Sequence, residues 1–82
     1  MSYYYLTKYS FDAEKSIAGP YKNEEEAWRA MEADADEEYR IDTEENDWWT
    51  EINKNKDAGE ITIKNFFGFG ETDTTEFILF QI

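Results

Sequence analysis

One well-marked helix start, Asn23-Glu24-Glu25-Glu26, stands between two stretches patterned as strands, and it constrains the fold more than any other feature. Asn is a strong N-cap, Glu26 three residues on completes a capping box, and three carboxylates suit the positive end of a helix. Tyr21 is placed to staple against Ala27. Beyond it, Ala27, Trp28, Met31, Ala35 and Tyr39 recur at helical spacing, while Glu25, Arg29, Glu32 and Asp36 point elsewhere. The spacing predicts a helix from about Glu24 to Tyr39 or a little further. No Gly or Pro follows until Gly59, so residues 42–47 read either as a loop or as a frayed extension.

The flanks alternate with a period of two. Tyr3, Tyr5, Tyr9 and Phe11 fall on one side of a strand, with Tyr4, Leu6, Lys8 and Ser10 on the other. Asp12-Ala13-Glu14-Lys15 is a plausible turn, leading to a short strand over Ser16–Ala18 that ends at Gly19-Pro20. After the helix, Trp48–Asn53 reads as a strand. Asp57-Ala58-Gly59 reads as a hairpin turn in which Gly59 supplies positive φ. Ile61 and Ile63 carry the next strand, and Gly68–Thr74 connects it to Thr75–Ile82, the most apolar segment and a candidate for a central position. The expectation is an α+β fold: an antiparallel sheet of four to five strands with one main helix across one face, in the order ββαβββ.

A chain of 82 residues is expected to form one domain, here a single acidic α+β domain over residues 1–82. Its aliphatic supply is thin, with no Val, two Leu and seven Ile, whereas fifteen residues are aromatic. Each aromatic buries roughly 150–250 Å², so most of them are expected in the core. Adjacent strand residues point to opposite faces, however. The runs Tyr3-Tyr4-Tyr5 and Trp48-Trp49 must therefore place an aromatic on each face, and a single helix covers only one.

The net charge of −12 is concentrated: residues 23–51 hold thirteen acids against Arg29 and Arg40. A surface of that sign repels DNA, RNA and anionic lipid and attracts a basic protein. The chain contains no Cys, which removes disulfides and thiolate chemistry and favours the cytoplasm. The start Met1-Ser2-Tyr3-Tyr4-Tyr5 lacks the pattern of a signal peptide, and no apolar run reaches membrane-spanning length, so a soluble protein is expected.

Without His or Cys the usual acid–base and nucleophile sets are missing, and the chain is not expected to be an enzyme. Carboxylate pairs suffice for glycoside hydrolysis, but twenty acids make such a pair unselective. Asp34, Asp36, Glu38, Ile41, Asp42 and Glu45 match the spacing of a calcium-binding EF-hand loop. Tyr39 stands where that loop needs Gly and also continues the helical stripe, which favours an acidic helix face. The Gly68-Phe69-Gly70 segment has no strand-to-helix setting for phosphate and reads as core-edge packing around a bulge, with an aromatic loop that docks on a partner as the alternative. No cofactor and no metal site are expected.

Two readings of function remain. In the first, the protein is a non-enzymatic binding module whose acidic segment 23–51 meets a basic partner. Its contact residues are the acids with no place on the apolar stripe: Glu24, Glu25, Glu32, Asp36, Glu44, Glu45 and Asp47. In its sharpest form the carboxylates replace phosphates and occlude the positive groove of a nucleic-acid-binding protein. In size and charge alone the chain is similar to the small acidic antagonists made by phages and mobile elements, such as anti-restriction and anti-CRISPR proteins. In the second reading, an aromatic sheet face joins two copies into a homodimer and the charge serves solubility.

Overall fold

The computed structural model describes residues 1–10 and 15–82. Phe11 and most of the turn expected at residues 12–15 lie outside them. The elements run β1 (Tyr3–Tyr9), β2 (Lys15–Tyr21), α1 (Glu24–Glu45), β3 (Trp49–Asn55), β4 (Glu60–Phe66), a short 3-10 turn (Gly68–Gly70) and β5 (Thr72–Gln81). The five strands form one sheet in the order β2-β1-β5-β4-β3, and every neighbouring pair is antiparallel. The expected α+β architecture is therefore present, with β5 in the middle.

Alternation along the strands decides what the helix covers. Tyr5 and Thr7 of β1, Ile61, Ile63 and Asn65 of β4, and Thr75 and Phe77 of β5 are buried on the helix side. Trp28, Met31 and Ala35 close over them from α1. Asn23 caps the helix as expected, its Oδ1 accepting the Glu26 N–H at 2.8 Å. Glu26 reaches back towards the Lys22 N–H at 3.4 Å. No helix among the described residues is long and apolar enough to cross a membrane.

Four boundaries differ from the expectation. Strand β5 starts at Thr72 rather than Thr75, since Thr72, Asp73 and Thr74 already pair with Phe66, Asn65 and Lys64 of β4. The helix runs through Tyr39 to Glu45, because its last turns are tied to the sheet, Asp42 Oδ2 accepting from Asn65 Nδ2 at 2.9 Å; the C-cap Asn46 N–H closes the final turn on the Asp42 carbonyl at 2.8 Å. Strand β2 continues through Gly19-Pro20 to Tyr21. It lies at the sheet edge, where a missing proline N–H breaks no ladder bond, and a register shift opposite Tyr3–Tyr5 takes up the irregularity. Strand β3 is displaced towards the turn and ends at Asn55. That turn closes on Gly59 at φ 67°, whose carbonyl accepts the Leu79 N–H at 2.8 Å.

Fewer aromatics are enclosed than expected. Tyr5, Trp28 and Phe77 are buried, whereas Tyr9, Trp48, Trp49, Phe67 and Phe69 are exposed. One helix roofs one face, so Trp49, directed to the other face, keeps contact with solvent, as do the half-buried Tyr4, Phe66 and Phe80; Tyr9 is on the helix side but at the end of β1, and Trp48, Phe67 and Phe69 lie outside the strands.

Candidate functional site

Eleven of the 22 residues in α1 are Asp or Glu, so the helix is the most highly charged element of the fold. The seven acids singled out from the sequence do not form one surface. Glu25, Glu32 and Asp36 lie along the flank facing β3, where lysines meet them. Lys54 Nζ lies 3.1 Å from Glu32 and 2.8 Å from Asp36, and Lys56 Nζ lies 3.2 Å from Glu25, which also pairs with Arg29 at 3.4 Å. These contacts hold the Glu25 carboxyl below its usual range, through Lys56 first and Arg29 second, and raise the Lys54 ammonium chiefly through Asp36. Being exposed, such pairs add little stability, but they cancel charge.

Glu44 shares Arg40 with Glu37, at 3.0 and 2.6 Å. Glu24, Glu45 and Asp47 make no ion pair among the described residues.

Four acids that make no ion pair among the described residues gather at the far end of the helix. Glu38, Asp42 and Glu45 succeed one another at i, i+4 and i+7 on the side of α1 turned towards the sheet, and Asp73 approaches from the start of β5. Loss of hydration pushes the Glu38 carboxyl above its ordinary range, and repulsion from Asp42, Glu45 and Asp73 adds to that. Asp42, Glu45 and Asp73 line a shallow depression of about 250 Å³ together with Asn46, Asn65 and Phe67. Of these acids only Glu45 was singled out from the sequence. Glu38 and Asp42 were legible through their spacing with Glu45; nothing in the sequence brings Asp73 to the same place.

The EF-hand spacing finds no loop, since Asp34 to Glu45 is helical throughout and Asp36 points away from the face that carries the other acids of that pattern. Asp34 instead accepts a hydrogen bond from the Tyr5 hydroxyl. That bond, together with burial, raises the Tyr5 phenol far above its ordinary pKa, burial being the larger cause. Among the described residues no three acids converge so as to hold a metal ion.

Asn46 ties this acidic end to an aromatic one. Its Nδ2 donates to the Trp49 carbonyl at 2.8 Å and the Phe66 carbonyl at 3.3 Å, and its Oδ1 accepts the Trp48 N–H at 3.0 Å. Trp48 and Trp49 are 71% and 62% exposed. Trp49 meets Phe66 edge to face, with ring centroids 6.4 Å apart.

The same uncovered face has a second apolar corner diagonally across it. There Tyr4 stacks on Phe80 at 5.6 Å, and Leu6 pairs with Ile17 on one side and Ile78 on the other. Charged and polar pairs, Lys8 with Glu76 and Glu51 with Lys64, separate the two corners. No protein-family model, no characterised protein and no solved structure matches the chain.

Proposed function

We propose that this protein is a non-enzymatic binding module that engages a basic protein through the acidic helix and its exit. The observation that carries the reading is the concentration of Glu38, Asp42, Glu45 and Asp73 at one end of α1 with no cation paired to any of them among the described residues, where mutual repulsion adds to the loss of hydration that raises the Glu38 pKa. Holding like charges together costs free energy in the isolated protein, and a cationic partner relieves that cost. The groove of a nucleic-acid-binding protein has the required sign, so a nucleic-acid mimic of the phage or mobile-element type is the specific form proposed. A cysteine-free chain suits a cytoplasmic setting.

The test is capture of a partner by the wild type and by the double variant Glu45→Lys/Asp47→Lys. Neither residue gives up an ion pair among the described ones, and lysine suits the negative end of a helix, so the fold survives the change. A basic partner should bind the wild type at low salt, bind the variant more weakly, and dissociate as the Debye length shrinks towards about 4 Å near 0.5 M salt. Retention of the same partner by the variant at high salt excludes the acidic mechanism.

Self-association is the alternative, and a specific observation favours it. Ile17 on edge strand β2 is 64% exposed beside Tyr4, Leu6, Ile78 and Phe80 on the uncovered face. That reading requires a dimer in solution that persists at high salt and is lost on Ile17→Lys.

A further inference from the structure

Trp48, Trp49 and Phe66 line a depression of about 340 Å³ on the uncovered face, and its one remaining lining residue is Glu51. We infer that this depression is a slot for an arginine side chain carried by the basic partner, an inference that rests on the function proposed above. Aromatic ring faces attract a cation, Trp most strongly, and a flat guanidinium both stacks on a ring and presents paired N–H donors to a carboxylate. The slot combines such rings with one acid. Trp49 and Phe66 stand at 76° to one another and form two walls of an almost wholly apolar lining, and Glu51 is the one charged residue that borders it. Glu51 is available to a guanidinium: Lys64 lies opposite it in the ladder, yet no ion pair joins them among the described residues.

The surroundings favour a cationic guest over an apolar one. Asp47 precedes the tryptophans, and segment 23–51, to which the slot's Trp48, Trp49 and Glu51 belong, carries nearly all of the net charge of −12. The position of Trp48 is itself built in. A Cβ at Gly68 would lie 2.7 Å from Trp48 Cζ2 and 3.0 Å from Cε2, so the indole rests against a residue that has no side chain.

The chain's three tryptophans provide the assay, with buried Trp28 as an internal control. The probe is capped tri-arginine, titrated into nitrogen-15-labelled protein at physiological salt and compared with capped tri-citrulline, which is planar and uncharged. Tri-arginine should shift the Trp48 and Trp49 indole N–H resonances saturably and leave Trp28 unmoved, and tri-citrulline should move none of the three. Trp49→Ala should weaken binding by about two- to fivefold. Gly68→Ala, which displaces the Trp48 ring without removing an aromatic, should also weaken it while the thermal midpoint stays within a few degrees. Glu45→Lys/Asp47→Lys should bind more weakly yet reach the same indole shifts at saturation.

Three results overturn the assignment: equal shifts from both peptides, tri-arginine shifts confined to helix amides, or indole shifts that follow protein concentration alone because a second copy fills the slot. The two proposals fail separately. A partner lost on Trp49→Ala but insensitive to salt and to the helix reversal sinks the acidic-helix reading, whereas the opposite pattern sinks the slot.

Discussion

Replacing Trp28 with alanine tests the core most directly. Trp28 is 6% exposed and packs with Met31, Ile61, Ile63 and Phe77 beneath the helix. Burial of about 200 Å² at ~25 cal/mol per Å² corresponds to roughly 5 kcal/mol, and large-to-small changes of this kind cost about 3–5 kcal/mol. The lower part of that range is expected. Trp28 borders an open depression of about 700 Å³ that it shares with Tyr3, Leu79 and Lys56, so water can enter the space vacated and no sealed cavity remains.

A loss of about 3 kcal/mol should lower the midpoint by roughly 12–24 °C in a chain of this length, out of a total stability on the order of 5–15 kcal/mol. Thermal and urea denaturation followed by far-ultraviolet circular dichroism measure it. Trp48→Ala is the matched control, since the same side chain is removed from a site that is 71% exposed, and it should cost no more than about 0.5 kcal/mol. Equal midpoints for the two variants, or a Trp28→Ala midpoint within a degree or two of the wild type, would refute the packing described.

Asn23→Ala should cost about 1 kcal/mol, because it leaves the Glu26 N–H without its 2.8 Å acceptor at the helix start; chemical denaturation measures this, and an unchanged midpoint rejects the cap. The Glu38 pKa is raised in the folded protein, so the folded state holds that proton more tightly than the unfolded one. The associated stability is present below the ordinary value of 4.5 and is lost as pH rises through the folded pKa. Glu25 and Glu37, with lowered pKa values, act in the opposite sense: their stability is present above 4.5 and is lost on acidification through the folded values. Glu38→Gln should therefore raise the midpoint at pH 7 and reduce its decline between pH 4.5 and 7, with added salt narrowing the gap from wild type; identical melting profiles for the two proteins across that range would reject the repulsion.

The elements that local chemistry specifies were legible in the chain. The Asn23–Glu26 cap, the stripe from Ala27 to Tyr39, the period of two in β1 and the turn at Gly59 each depend on residues within a few positions of one another. Each appears where it was expected. The central place of β5 was legible for a related reason, since a strand covered on both edges loses its solvent-exposed backbone and its sequence can be the most apolar.

The end of α1 was not legible. Its last turns persist through bonds from Asn65 and through Asn46, whose partners lie on β3 and β4, and helical spacing carries no record of such partners. The same holds for the sites. Charge per segment could be counted from the sequence, but the pairing of Lys56 with the first turn of the helix and of Lys54 with its middle could not, nor could the arrival of Asp73 beside Glu38. Pairing in the sheet neutralises one stretch of the acidic helix and leaves its end bare. Alternation made it certain that some aromatics would face away from the helix. Which of them meet, Trp49 with Phe66 at one corner and Tyr4 with Phe80 at the other, depends on strand register and strand order, because residues far apart in the chain become neighbours only when the ladders form.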